Sequence, residues 1–183
     1  MTVNLMPGQN INLSEVLGVQ QEVTVGFRWQ VTRSHSVEPE VVPMAVLLTA
    51  DGKALDADAA AFFNQLDVAD GAARYVSGDD QEQVDLNLAG LPDSVEKVVF
   101  LLFVNPDQRQ PGSFDAVDGV STRVADANGS TIAVFDVPPG QRGLTVIVTG
   151  EVYRHRGQWK YRALGDGFTG GIVDVAGTYG VAL

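Results

Sequence analysis

The sequence predicts an all-β domain, built as a sandwich or a barrel. Three observations carry this reading. Apolar residues alternate with small or polar ones along several stretches, the period of a strand with one buried face. Short, unbroken apolar runs stand between turn signals, as buried strands do. The turn signals recur at close intervals through much of the chain, so the strands are many and short.

The elements follow in order. Val23, Val25, Phe27, Trp29 and Val31 fall on one face of a strand. Trp29 is expected in the core, where large aromatics at such positions mostly lie. Met44–Leu48 reads as a buried strand, closed by the turn Ala50-Asp51-Gly52-Lys53. Ala54–Phe63 is rich in alanine and reads as helix on propensity alone. Val98–Val104 is continuously apolar between Pro92 and Pro106, which predicts a strand covered on both faces. Gln108–Gly112 is a polar loop. Val120–Ala125 and Thr131–Val137 are joined through Asn128-Gly129, two residues that tolerate positive φ and so favour a hairpin. Gly143–Tyr153 is a long strand, and Trp159–Leu164 returns after the Arg156-Gly157 turn, with Trp159 and Tyr161 on its core face. Ile172–Gly177 reads as a strand or as one short helix.

Composition bounds the function. The chain has 183 residues, read as one domain over 1–183, and no cysteine. A chain of this length buries about 70% of its unfolded surface and needs no covalent staple. The lack of thiols fits a reducing compartment. The first residues carry no basic leader and no apolar h-region. The longest apolar run, near Val98–Val104, is far shorter than the roughly 20 residues that cross a bilayer. A soluble, cytoplasmic protein without membrane insertion is therefore expected. Net charge is −11, from 12 basic and 23 acidic residues. Duplex nucleic acid is excluded as a partner, since its binding depends on neutralising phosphates.

The charge is uneven. Eight acidic residues lie between Asp51 and Glu82, against Lys53 and Arg74, while Arg154, Arg156, Lys160 and Arg162 cluster near the end. Such a segment reads either as a solvated acidic face or as a site for a hard cation, which takes carboxylate and carbonyl oxygens. Asp56–Ala61 begins like an EF-hand loop but has Ala61 where that loop needs glycine. Gly78-Asp79-Asp80-Gln81-Glu82 is the remaining candidate, because glycine permits a sharp bend and three carboxylates follow it. No phosphate-binding loop, dinucleotide fingerprint or nucleophile elbow is present. His35 and His155 are the only histidines, and neither has a partner at metal-ligand spacing. A non-enzymatic protein is expected.

Several ordered stretches resemble the TerD-type tellurium-resistance family. Leu5–Leu13 is similar to its "L-x-x-G-x-N-x-x-L" opening, and Val25-Gly26-Phe27-Arg28-Trp29 to its "V-G-L-G-W" strand. Phe62-Phe63-Asn64-Gln65 with Asp70-Gly71 resembles "F-Y-N-Q … D-G", and Leu91-Pro92 before Val95–Phe100 matches the linker into a central strand. Gly150-Glu151-Val152-Tyr153-Arg154 and Trp159–Phe168 resemble "G-E-L-Y-R … W-K-F-R-A-V-G-Q-G-Y", and Tyr179-Gly180-Val181 the closing "Y-G-V". The resemblance implies a two-sheet β-sandwich with a short C-terminal helix near Gly171–Gly177, and a strand at Ala61–Gln65. It also implies a bacterial tellurite- or stress-resistance role, partners among other stress-response proteins of the same system, and Ca²⁺ held by acidic loops.

The departures bear on that ion. Glu40-Val41-Val42 stands where the family has "D-L-D", and Ser77–Glu82 fuses the two ends of a longer acidic loop. A Ca²⁺ ion takes about six to eight oxygens. The expectation is therefore at most one weakened site, made from Glu40, Asp79, Asp80 and Glu82 with help from Asn64 and Asp70. Loss of Ca²⁺ binding, leaving a metal-independent interaction module of the same fold, is the alternative. A carbohydrate-binding sandwich or hydrolase is a third reading, disfavoured because no loop combines exposed aromatics with a carboxylate pair. Glu151 is expected to be a charge partner for Arg154 or Arg162.

Overall fold

The computed structural model describes residues 1–32, 39–106 and 112–183. His35 and most of the polar loop expected at Gln108–Gly112 lie outside them. In chain order the elements are β1 (Val3–Leu5), β2 (Asn10–Asn12), α1 (Leu13–Leu17), β3 (Glu22–Val31), β4 (Val41–Leu48), β5 (Ala60–Ala61), β6 (Asp67–Val68) and β7 (Ala73–Val76). Then come β8 (Glu82–Asn87), β9 (Lys97–Val104), β10 (Val117–Asp126), β11 (Thr131–Asp136), β12 (Val146–His155), β13 (Gln158–Phe168) and α2 (Ile172–Thr178). They form two sheets. Sheet A runs β1-β11-β10-β3-β8-β7-β6, and sheet B runs β2-β13-β12-β9-β4-β5. Neighbours are antiparallel except β1, which lies parallel to β11. The two-sheet sandwich with a short C-terminal helix is the expected architecture.

Alternation decides which side chains meet between the sheets. Val23, Val25 and Phe27 of β3 are buried in the central core, and Trp29 packs half-buried against it. Ala45 and Leu47 of β4, Val98, Phe100 and Leu102 of β9, and Tyr161 of β13 face them from sheet B. Phe27 and Phe100 meet at 6.1 Å between ring centroids.

Sheet B is buried on its outer face as well. Val42, Met44 and Val46 of β4, Leu101 and Phe103 of β9, and Val146 and Val148 of β12 form a second apolar layer. Ile172, Val175 and Ala176 of α2, and Val181 beyond it, cover that layer. This explains the unbroken apolar runs, because both side-chain sets of β4 and β9 need cover. It also explains the helix. Seven residues without a side-chain cap are too few to hold a helix alone, so packing supplies its stability.

Pro43 sits inside β4, where a ladder donor would ordinarily be needed. Leu47 N donates to Ala59 O on the β5 side. By the two-residue alternation, Pro43 turns its missing N–H toward that same side, beyond the end of β5. The proline costs no bond and blunts an open edge.

Two expectations are corrected, and the helix that propensity alone suggests does not form, as the family resemblance implied. Ala54–Phe63 forms no helix: Ala60–Ala61 pairs with Ala45 and Val46, and Phe62 bridges Gln65 across a tight turn. Tertiary pairing with a fully buried strand overrides alanine's helix propensity here. The strand expected at Ala61–Gln65 is limited to Ala60–Ala61 and that turn. The strand expected at Gly143–Tyr153 begins only at Val146, since Gly143 has φ of 74° and Gly143–Thr145 lead into it.

Candidate functional site

The acidic loop between β7 and β8 folds back across the outer face of sheet A. Two glycines make this approach possible. A Cβ on Gly26 of β3 would overlap the Asp80 carboxylate, and one on Gly78 would overlap the Gln83 side chain. Gly26 thus leaves a hollow in the sheet surface, and Asp80 fills it. Gln81 secures the loop from the other side, its Oε1 accepting from Trp29 N at 2.7 Å.

Asp80 has no exposed side-chain surface. Two arginines from flanking strands neutralise it. Arg28 of β3 donates from Nε to Oδ1 at 2.7 Å, and Arg123 of β10 donates from Nε to Oδ2 at 2.9 Å and places Nη2 2.7 Å from the same oxygen. Arg28 Nη2 also donates to Asp79 O at 3.3 Å, and Arg123 Nη1 to Gly129 O at 3.2 Å. The loop, strands β3 and β10 and the β10–β11 hairpin are thereby tied together. The hydrogen bond to Asp80 raises the Arg123 guanidinium above its ordinary value, against the opposing effect of burial. Arg123 is mostly buried, whereas Arg28 keeps half its side chain in solvent.

The polar layer continues along sheet A. Thr24 Oγ1 donates to Asp85 Oδ1 at 2.7 Å, and Gln83 Nε2 to the same oxygen at 3.1 Å. Sequence reasoning missed Arg28, Arg123 and Asp85. The available signal was alternation: with Val25 and Phe27 turned inward, Arg28 must stand on the same outer face as Gly26.

The four residues expected to share a cation are placed as follows. Asp80 is the buried centre of the arginine pair. Asp79 is exposed beside it. Glu82 opens β8, half-buried, and faces Tyr75; burial first, and this carboxylate second, push the Tyr75 hydroxyl well above its usual value. Glu40 precedes β4 on the other sheet, and its Oε2 accepts from Asn105 Nδ2 at 3.2 Å. Of the two assisting residues, Asn64 lies exposed in the turn after β5. Asp70 lines a cleft of about 240 Å³ with Asp56, Asp58 and Asp67. Among the described residues no three His, Asp or Glu side chains converge on one cation position. As arranged, the set does not fit Ca²⁺, because both oxygens of Asp80 are already engaged by guanidinium.

Glu151, on β12, pairs with Lys97 and Arg162, not with Arg154. Arg154 instead donates to the carbonyls of Val95 and Pro92 and stacks over Trp159 at 4.6 Å.

Comparison with known proteins identifies the family. The TerD domain pattern matches residues 1–179. The chain belongs to the TerD domain family. Tellurium resistance protein TerD of Serratia marcescens is 31% identical over 99% of this chain and 98% of its own length, and that of an Alcaligenes species 34% identical over the same shares. General stress protein 16U of Bacillus subtilis is 28% identical over 99% of this chain and 98% of its own. A solved homologue of telluride resistance protein (TerD) from Streptomyces coelicolor superposes with a TM-score of 0.67, at 20% identity, over 90% of this chain and 99% of that one. The TerD relatives place the chain in a tellurium-resistance and stress-response family. No helix among the described residues is long and apolar enough to cross a membrane.

Proposed function

We propose that this TerD-family chain is a non-enzymatic binding protein of the bacterial stress response whose acidic loop is held by arginine and works without Ca²⁺. One observation carries the reading: the Asp80 carboxylate lies fully buried between Arg28 and Arg123. Two fixed guanidiniums already supply the positive charge that a cation would bring. Arg28 is particular to this reading, since it occupies the second glycine of the "V-G-L-G-W" pattern. With no exposed side-chain surface, Asp80 is closed off from a substrate, which supports a binding role over catalysis at this loop. A lack of cysteine supports a reducing compartment such as the cytoplasm.

A Ca²⁺-dependent reading keeps one support. Asp79 is exposed and its carboxylate makes no ion pair among the described residues. Thermal melts with and without millimolar Ca²⁺, with Mg²⁺ as control, separate the two. A ligand at about 100 times its Kd stabilises by roughly 2.7 kcal/mol, which for this chain length is a rise of about 5–11 °C. An unmoved midpoint is expected. A Ca²⁺-specific rise that Asp79→Asn and Glu82→Gln abolish would transfer the conclusion to the Ca²⁺ reading.

A further inference from the structure

The outer face of sheet B changes character beyond α2. A cavity of about 370 Å³ lies there, floored by Val99 of β9, Val148 of β12 and Leu164 of β13, with Tyr179 beside it. Lys97, Glu151, Arg162 and Asp166 complete its wall. Glu151 is only 5% exposed. Lys97 Nζ stands 2.8 Å from its Oε2 and Arg162 Nε 3.3 Å from its Oε1. Arg162 Nε is buried, and its contact with Glu151 lacks hydrogen-bond geometry, so that donor makes no hydrogen bond. Stacking on Tyr153 at 4.4 Å fixes the guanidinium. Asp166 is exposed and has no ion-pair partner among the described residues.

The four charges sum to zero, and this selects the ligand. A simple anion would meet two carboxylates, and a simple cation would meet Lys97 and Arg162. A molecule with one charge of each sign satisfies both pairs and leaves the balance unchanged. The volume falls within the range of about 300–1,000 Å³ usual for small-molecule sites, which combine apolar walls with a few convergent polar groups.

We infer that this cavity binds a small zwitterion with an apolar side group, of the α-amino acid class, its carboxylate toward Arg162 and Lys97 and its ammonium toward Asp166. The site lies on sheet B and shares no residue with the acidic loop of sheet A, so either reading can fail while the other stands.

The full chain is titrated with L-leucine and L-phenylalanine by calorimetry and by amide chemical shifts. The single-charge analogues of phenylalanine, 3-phenylpropionate and 2-phenylethylamine, serve as comparison. Saturable binding of an amino acid is expected at millimolar concentration or below, with each analogue about tenfold weaker or worse, as the loss of one charge-assisted contact implies. Shifts should centre on Val99, Leu164 and Tyr179. Asp166→Asn changes an exposed side chain, leaves the fold intact and should weaken phenylalanine binding by a similar factor. The proposal is overturned if neither amino acid binds at about 10 mM, a concentration above any useful affinity. It is equally overturned if the three phenyl probes bind alike, if the shifts fall elsewhere, or if Asp166→Asn binds as the parent does.

Discussion

Replacing Asp80 by asparagine keeps the shape of the side chain and removes its charge. The cost follows from what is left behind. Arg123 exposes only 14% of its side chain, whereas Arg28 exposes 54%. Stranding one partner of a buried ion pair costs about 3–5 kcal/mol, while a pair with a solvated cation is worth roughly 0–1 kcal/mol. Arg123 is near the first case and can recover a little hydration, so about 2–3 kcal/mol is expected. At this chain length each kcal/mol moves the midpoint by about 2–4 °C, a fall of about 4–12 °C. Arg28→Ala should cost about 0.5 kcal/mol by the solvated-pair value. Arg123→Ala should approach the Asp80→Asn cost, since it leaves a carboxylate with no exposed surface only the half-solvated Arg28 as partner and frees Gly129 O. The double variant Asp80→Asn/Arg123→Ala should cost clearly less than the two single changes together, because it removes both buried charges. Urea unfolding followed by tryptophan fluorescence measures all four, with Trp29 reporting from beside the loop. Equal costs for Arg28→Ala and Arg123→Ala, or strict additivity in the double variant, would refute the assignment of Asp80 as a buried pair centred on Arg123.

Other outcomes follow from the same contacts. Gly26→Ala drives a methyl into the Asp80 carboxylate and Gly150→Ala drives one into the Tyr161 hydroxyl. Both should destabilise by about 1–3 kcal/mol. Gly150→Ala should be the worse, since Arg162 backbone oxygen also stands 2.8 Å from the new atom and cannot swing away; melting curves of the two variants give the order. Burial pushes the Tyr161 hydroxyl far above its ordinary value of 10. Its neutral form is therefore the one the fold favours: stability is intact below about pH 10, where the unfolded tyrosine titrates, and falls as pH rises further. Tyr161→Phe should lessen this alkaline loss, to which Tyr75 also contributes, while changing neutral-pH stability little, because the hydroxyl it removes has no well-formed hydrogen bond; denaturant midpoints between pH 8 and pH 11 test it, at values chosen about the tyrosine range. Truncation after Thr169 uncovers the second apolar layer and loses the burial of Ile172, Val175 and Val181. At about 1.5–3 kcal/mol per side chain, the loss rivals the whole stability of about 5–15 kcal/mol, and aggregation is the expected result in light scattering.

Strands with a strong pattern were legible from the residues alone. The alternation over Val23–Val31, the unbroken run Val98–Val104 and the Asn128-Gly129 turn each pointed to the element that forms there. Short edge elements were not legible. β1, β2, β6 and β7 have two to four residues each, too few for a period to show. Their existence depends on the neighbour they pair with, such as β11 for β1. Ala54–Phe63 shows the same limit, since its local propensity and its tertiary pairing disagree.

The sequence by itself determined the chemistry available. It set the absence of thiols, the negative charge, the acidic loop at Gly78–Glu82 and the ordered TerD-type segments. Which charges face one another was decided only by the tertiary structure. Asp80 and Arg123 are 43 residues apart, and Arg28 stands a further 52 residues before Asp80. Glu151 is shared by Lys97 and Arg162, which lie on either side of it. Ion pairs act over a few ångströms, so no carboxylate's partner can be read from its own segment. Three aspartate and glutamate residues in a row of five invite a cation when read alone; folded across sheet A, their buried member meets guanidinium from two strands that the loop's own sequence does not mention.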